Sequence, residues 1–208
     1  MEIDLSLIGM EKGRQYETII STRNDDGTNH AAPIGVLCSG PDIIICRIFK
    51  GSHTLENILK QKEFYVNITH SPELFTSSLI DEIADECFND NNTLKGTDAY
   101  FKCEVMSFKQ AVKQSDPVKR KDEAIVFKSK VVELVINNET QAFNRGFGYV
   151  IESLVNFARF DLVEGEEKEF YLKRFREAYR VVNKVGTRRD IKAMRKIKKE
   201  LKNKGHDL

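Results

Sequence analysis

Apolar and polar positions alternate along the first two thirds of the chain, which is the pattern of β-strands with one buried face. The strands that this alternation predicts are Tyr16–Ser21, His30–Leu37, Ile43–Phe49, Phe64–Thr69, Tyr100–Lys113 and Ala124–Ile136. A short helix is predicted at Thr54–Gln61, and a second one begins at Pro72 after the N-cap residue Ser71. The hairpins and the interspersed helices together predict an α+β fold, with helices packed on an antiparallel β-barrel.

The apolar spacing changes after Asn137 from two residues to about 3.6, which is typical of helices. Three apolar stripes follow at this spacing. They comprise, first, Phe147, Val150, Ile151, Leu154, Val155 and Ala158; second, Phe170, Tyr171, Phe175, Ala178, Tyr179 and Val182; and third, Ile191, Met194, Ile197 and Leu201. We therefore predict two domains, a β-rich domain over residues 1–138 and a C-terminal three-helix domain over residues 139–208.

Turn residues refine the strand prediction. The Asp26-Gly27 pair marks a tight turn between the first two strands. Pro33 lies within the second strand and lacks a backbone donor, so this strand is expected to be an edge or to carry a bulge there. A hairpin loop is predicted over Gln114–Lys121, between the two long strands.

The composition excludes a disordered chain, because 40% of the 208 residues are hydrophobic and 31% are charged. The N-terminus carries Glu2 and Asp4 and lacks the apolar core of a signal peptide. The longest apolar run, Ile43–Cys46, is far shorter than the roughly 20 residues of a membrane helix. We therefore expect a soluble cytoplasmic protein that binds no membrane.

The cysteine pattern argues against a metal site. The four cysteines, Cys38, Cys46, Cys87 and Cys103, form no C-x-x-C pair, and no histidines cluster with them. We expect buried free thiols in a reducing cytosol.

Positive charge and hydroxyl groups are concentrated where the third strand ends and the first helix begins. Arg47 and Lys50 supply the charge, and Ser52 and Thr54 supply the hydroxyls. The start of a helix adds free N–H groups and the positive end of its dipole, so the segment is a candidate phosphate site. The alternative is an ordinary strand-to-helix junction, in which one hydroxyl caps the helix and the bases are solvated.

A second candidate site is Asp26–Gly35, which contains small residues and Pro33. Backbone groups that are left unpaired at this strand could bind a flat heterocycle with alternating donors and acceptors. His30 lies in this segment, but a lone histidine after a turn also fits a surface or capping role.

The two segments resemble the FMN-binding split-barrel superfamily, which includes flavin reductase-like and pyridoxine-phosphate-oxidase-like proteins. The resemblance rests on Ser52-x-Thr54-x-x-Asn57-Ile58 after the third strand, following a hairpin with Asn29-His30-Ala31-Ala32-Pro33-Ile34-Gly35. The whole chain is similar to an archaeal branch that adds a helical C-terminal domain. Here that domain contains Asn144-Arg145-Gly146 and Val150-Ile151-Glu152-Ser153-Leu154-Val155.

This resemblance implies a split barrel that binds FMN and forms a homodimer with the flavin at the subunit interface. The residues implied to hold the phosphate are Arg47, Lys50, Ser52 and Thr54, with Asn57 nearby. The ring would lie against the strand Thr28–Pro33 and bond mainly to its backbone, which includes Thr28, Asn29, His30 and Ala31. The resemblance assigns neither a catalytic residue nor the small-molecule substrate.

Three functions are compatible with the sequence. The first is an FMN-dependent oxidoreductase, although no G-x-G-x-x-G pattern indicates a nicotinamide donor. The second is a flavin carrier or sensor without catalysis. The third is nucleic-acid binding by the basic C-terminal helix. Residues Lys184–Leu208 carry a balance of +7, which leaves −6 on the rest of a chain of net charge +1. This segment lacks aromatic residues for base stacking, so a contact with an acidic protein surface explains its charge better than nucleic acid does.

Overall fold

The computed structural model describes residues 3–80, 83–114, 121–206 and 208. The chain divides into two compact units, Met1–Phe143 and Asn144–Leu208. None of the described helices is both long enough and apolar enough to cross a membrane.

The first unit is built on six antiparallel strands in its described part. They are β1 (Gln15–Arg23), β2 (Asn29–Cys38), β3 (Ile43–Phe49), β4 (Glu63–Ile68), β5 (Ala99–Gln114) and β6 (Lys121–Ile136). They form a closed barrel in the order β1-β2-β3-β6-β5-β4. Its helices are α1 (His53–Gln61) and α2 (Pro72–Ile80), with single 3-10 turns at Leu5–Ile8 and Asp85–Cys87. The predicted α+β architecture with an antiparallel barrel is confirmed.

The predicted strands agree with the observed ones to within one to three residues at their ends, and β3 agrees at both ends. The N-cap prediction for α2 is also confirmed, because the Leu74 amide donates to Ser71 Oγ at 3.2 Å. The predicted hairpin loop over Gln114–Lys121 lies mostly outside the described residues, since only its two end residues belong to β5 and β6.

The core of the barrel consists of the inward-facing side chains of alternate strand positions. Val36, Ile44, Phe64, Phe101 and Phe127 are each fully buried there. The α1 helix also adds apolar side chains to this core, from Leu55 and Ile58. The cysteine prediction holds for three thiols, of Cys38, Cys46 and Cys103, whereas Cys87 is exposed because its 3-10 turn lies outside the barrel core.

The second unit consists of α3 (Gly146–Arg159), α4 (Gly165–Val185) and α5 (Arg188–Asn203), with a 3-10 turn at Phe160–Leu162. The stripes predicted on α4 and α5 supply most of its core, apart from the exposed Phe170. Thr187 caps α5, as the Asp190 amide donates to its hydroxyl and Asp190 accepts from the Thr187 amide.

The stripe predicted on α3 is oriented differently from the expectation. Only Val150 of that set is buried, whereas the others lie on the exposed side of the helix: Phe147, Ile151, Leu154, Val155 and Ala158. The reason is a close approach at the start of α3, where a Cβ on Gly146 would come within 2.7 Å of the Gly186 Cα atom. This approach turns Val150 and Ser153 towards the core of the unit.

Candidate functional site

The barrel opens between β2 and β3. Pairing between these strands is limited to Val36↔Cys46, Leu37↔Ile45 and Cys38↔Ile44. Beyond these pairs, Asn29–Gly35 pairs with β1 alone among the described strands. The far end of β3 pairs with β6 alone. We refer to the unpaired edges, Asn29–Gly35 of β2 and Arg47–Phe49 of β3, as the split.

The ladder shows which backbone groups face the split. The Cys38 amide donates to Arg14 O, and the Asn24 amide donates to Thr28 O, so even-numbered residues of β2 bond to β1. Hydrogen bonding alternates along an antiparallel strand, so odd-numbered residues direct their backbone groups to the other side. The backbone N–H and C=O groups of Ala31, the C=O of Pro33 and the N–H of Gly35 therefore face the split. The C=O of Gly35 is taken by the pairing of Val36 with Cys46.

The position of Pro33 follows from this alternation. Pro33 is an odd-numbered residue of β2, so the N–H that it lacks would have pointed into the split and not towards β1. The prediction that the strand is an edge or carries a bulge at Pro33 holds locally: β2 lies between β1 and β3 in the closed barrel, but at Pro33 it pairs with β1 alone. The β1–β2 ladder loses no hydrogen bond there.

The α1 helix begins next to the split. Ser52 is its N-cap residue: its Oγ accepts from the Leu55 amide at 3.3 Å and donates to Phe49 O at 3.0 Å. No hydrogen bond joins the amides of His53 and Thr54 to another residue in the described part of the chain. These two first-turn N–H groups and the helix dipole can together bind an anion.

His30 and Thr54 are brought together across the split. The His30 Nε2 atom lies 2.9 Å from Thr54 Oγ1, and the His53 ring lies edge-on to the His30 ring with centroids 5.8 Å apart. The two candidate segments, which are 24 residues apart at this contact, therefore form a single site.

The two predicted cations have different environments. Arg47 is exposed on β3, and no ion pair joins it to another described residue. Lys50 forms an ion pair with Glu123 of β6, which lowers the pKa of the Glu123 carboxyl through the hydrogen bond. Glu123 was not among the residues predicted from the sequence, because the pairing of β3 with β6 brings it to the site.

Other predicted residues support the site through their contacts with the protein. The buried Asn57 amide donates to Thr22 Oγ1 at 3.0 Å and to Asn24 Oδ1 at 2.9 Å, which fixes α1 to β1 and its turn. The Thr28 hydroxyl donates to Asp26 Oδ1 at 2.6 Å within the same turn. The methyl group of Ala31 packs in an apolar cluster under α2, so its backbone alone faces the split.

The side-chain amide of Asn29 has a hydrogen-bonded nitrogen and an oxygen without a hydrogen-bond partner among the described residues. Its backbone amide and its Nδ2 both donate to Asp85 Oδ1, at 3.1 and 2.8 Å. Its Oδ1 is buried and accepts no hydrogen bond from the described residues. Asp85 is a second residue that sequence reasoning missed, and Asn29 Oδ1 is an acceptor that a ligand N–H could satisfy.

Two family models match this chain. A model described as the N-terminal domain of a protein of unknown function, DUF447, matches residues 16–138. A second DUF447 model matches residues 144–199. The chain belongs to the DUF447 family.

Relatives of this DUF447 chain are archaeal. It is 27% identical to the uncharacterised protein MJ1453 of Methanocaldococcus jannaschii over 176 residues, which are 83% of this chain and 90% of that one. Its sequence is 30% identical to that of MM1853 from Methanosarcina mazei, a DUF447 protein whose crystal structure is FMN-bound. That likeness has a TM-score of 0.52 and covers 94% of this chain and 99% of the other. The resemblance to FMN-binding split-barrel proteins that the sequence indicated is confirmed at the level of fold and family.

The basic helix of this DUF447 chain packs its apolar face within its own unit. Met194, Ile197 and Leu201 of α5 are buried in the core of that unit. Near its end, Lys198 lies over the Tyr179 ring at 4.8 Å, and Lys204 pairs with Asp161 at 2.6 Å.

Proposed function

We propose that this chain binds FMN at the split and acts as an oxidoreductase on a small molecule. The observation that carries the proposal is the open backbone edge of β2 beside the cation-flanked start of α1. The relative that is 30% identical over 94% of the chain was crystallised as an FMN-bound protein, which supports the same cofactor here. FMN, when bound, supplies a group that accepts and donates hydride or single electrons.

The start of α1 suits the phosphate of FMN. The first-turn amides of His53 and Thr54 supply directed donors, and the hydroxyls of Ser52 and Thr54 lie in the same turn. The Ser52 hydroxyl would have to turn from Phe49 O to donate to the phosphate. Arg47 and Lys50 supply charge from the adjacent end of β3 and its turn.

The edge of β2 suits the ring. Ala31 offers both a donor and an acceptor there, Pro33 offers an acceptor, Gly35 offers a donor, and Asn29 Oδ1 is an unsatisfied acceptor. Such alternation matches the polar edge of a flavin and leaves the ring face available to a substrate. His30 and Thr28 complete the strand segment that we propose lies along the ring.

We further propose that the FMN site belongs to a barrel domain over residues 1–138, that residues 139–208 form the helical domain, and that the protein is a cytoplasmic homodimer. Sedimentation velocity on the full chain, with and without FMN, tests the oligomeric state. A single species at twice the mass of 23.9 kDa is expected.

Separate titrations of FMN and of riboflavin with the purified chain test the proposal of FMN binding. Quenching of the flavin fluorescence measures the bound fraction. We expect both to bind and FMN to bind at least tenfold more tightly, because riboflavin lacks the phosphate that α1 would hold. Equal affinities would contradict the phosphate site, and failure to bind either flavin would contradict the function.

A flavin carrier or sensor is the second candidate, because the lack of a G-x-G-x-x-G pattern leaves the electron donor unassigned. It is separated from an oxidoreductase by mixing the FMN-loaded protein with NADH or NADPH under anaerobic conditions and then adding an electron acceptor. Reduction followed by repeated turnover supports the enzyme, whereas a flavin that neither donor reduces at a useful rate supports the carrier.

A further inference from the structure

We propose that His30 sets the direction of the Thr54 hydroxyl and thereby controls how strongly the site holds the phosphate of FMN, an inference that rests on the function proposed above. The two side chains come from different elements, β2 and α1, and His30 Nε2 lies 2.9 Å from Thr54 Oγ1. Thr54 is 1% exposed, so its hydroxyl has few partners to choose between, and His30 is the one already in place.

The tautomer and the protonation state of the imidazole together determine which way this hydrogen bond runs. A neutral ring with its proton on Nε2 donates to Thr54 Oγ1 as an imidazolium does, so the switch that we propose requires the neutral ring to carry its proton on Nδ1. A neutral ring with its proton on Nδ1 accepts at Nε2, so the Thr54 O–H is used up by His30 and cannot donate to a phosphate. An imidazolium donates from Nε2 to Thr54 Oγ1, and the hydroxyl proton is then free to point at a phosphate oxygen. His30 is therefore a positioning residue, since it acts on the ligand through Thr54.

The elements that pack near His30 and Thr54 contribute different titratable groups. The α1 helix contributes His53, whose ring lies 5.8 Å from that of His30. The β1 strand contributes the uncharged Thr22 as register partner, and α2 packs apolar side chains on β2. The segment after α2 contributes Asp85, which bonds to the residue before His30.

The test uses dissociation constants of FMN and riboflavin for the unaltered full chain and for His30→Ala, between about pH 5.5 and 8.5, the range in which histidine titrates. The ratio of the two proteins' constants cancels the titration of the FMN phosphate itself, which occurs near pH 6. It also cancels the direct effect of His53 on the ligand, since both proteins contain His53.

We expect the advantage of the unaltered chain for FMN to grow about tenfold as the pH falls through this range, the size of one hydrogen bond to a charged group. The same ratio for riboflavin should stay flat. In a Thr54→Val background the pH-dependent advantage should disappear, and Thr54→Ser should restore it. A thermal melt of each variant checks folding, and the comparison with His30→Ala alone remains informative if Thr54→Val is unstable.

Two results would overturn the inference. One is an FMN ratio that does not change with pH. The other is an advantage that persists in the Thr54→Val background, because the charge of His30 would then act on the phosphate directly. Either result, obtained with a chain that prefers FMN to riboflavin, leaves the proposed function intact. A chain that binds no FMN contradicts the proposed function and this inference together.

Discussion

Individual charges at the split are unequal in their availability to a ligand. Arg47 is exposed and has no ion-pair partner among the described residues, whereas Lys50 is held by Glu123. A phosphate at the start of α1 would therefore compete with a carboxylate for Lys50 but not for Arg47. The ion pair is well exposed, so this competition is weak in solution.

Replacing Lys50 tests its part in the phosphate site against a matched control at the other end of the same helix. Lys60 also pairs with an exposed carboxylate, that of Asp25. Lys50→Ala should weaken FMN binding about three- to tenfold, while Lys60→Ala should leave it unchanged, because only Lys50 lies near the helix start. Fluorescence titration measures both, and equal losses would indicate a general effect of net charge.

Removing the carboxylate should have the opposite effect. Glu123→Gln frees Lys50 and removes a negative charge beside the phosphate, so FMN should bind about two- to fivefold more tightly at low salt. The gain should shrink at 0.5 M salt, where screening is strong. A loss of affinity at low salt would mean that Glu123 holds Lys50 in its binding position.

The buried thiols make stability sensitive to alkaline pH. Burial raises the pKa of Cys46 from its ordinary value of 9.0 to about 12, and that of Cys103 is raised well above the ordinary value. The folded state thus keeps these protons where the unfolded state loses them. This contribution to stability is fully present below about pH 9 and is lost progressively towards pH 12.

Two measurements check this account of the thiols. Urea unfolding midpoints should fall between pH 9 and 11, and less so in Cys46→Ala relative to its own value at pH 8. Titration with a thiol reagent at pH 8 should label Cys87 rapidly and the three buried thiols after denaturation. Rapid labelling of more than one thiol in the native protein would contradict the packing described.

At the scale of the elements, the two edges of β2 differ in their strand pairing. Its β1 edge is fully paired over Asn29–Cys38, and its other edge pairs only near the end that contains Cys38. This asymmetry yields a test in which two neighbouring alanines are each replaced by proline.

Ala31→Pro removes an N–H that faces the split, whereas Ala32→Pro removes one that bonds to β1. Ala32→Pro should destabilise the chain by about 1–3 kcal/mol, and Ala31→Pro should destabilise it less. Ala31→Pro should nevertheless weaken both FMN and riboflavin, because the donor it removes would serve the ring. Thermal melts and flavin titrations separate the two effects. A larger loss of stability in Ala31→Pro would contradict the assigned hydrogen-bond alternation.

The strands were largely predictable because alternation and turn residues are local signals. Pro33 also indicated the unpaired edge of β2, because a residue without a backbone N–H fits where no neighbouring strand needs that donor. The site contacts were less predictable: Glu123 lies 73 residues from Lys50, and Asp85 lies 56 residues from Asn29. Only strand register brings such residues together, and no local pattern specifies it. The same limit applies to α3, whose apolar stripe does not reveal that Gly146 turns it outward.

At the scale of the whole molecule, two units with different chemistry share one chain. The barrel unit contains every residue that we propose for FMN, and the helical unit contains the basic α5. The match of one family model to each part shows that both belong to the family. A function proposed for the barrel unit must therefore also explain why the family retains the helical unit in the same chain.

The most direct test of the central claim is the visible absorbance spectrum of the full chain after it has been soaked in FMN and desalted. We predict flavin bands that stay with the protein at about one FMN per chain, and that are lost in the Arg47→Ala, Lys50→Ala double variant. A spectrum without flavin bands would contradict FMN binding, and bands that the double variant retains in full would place the flavin away from the split.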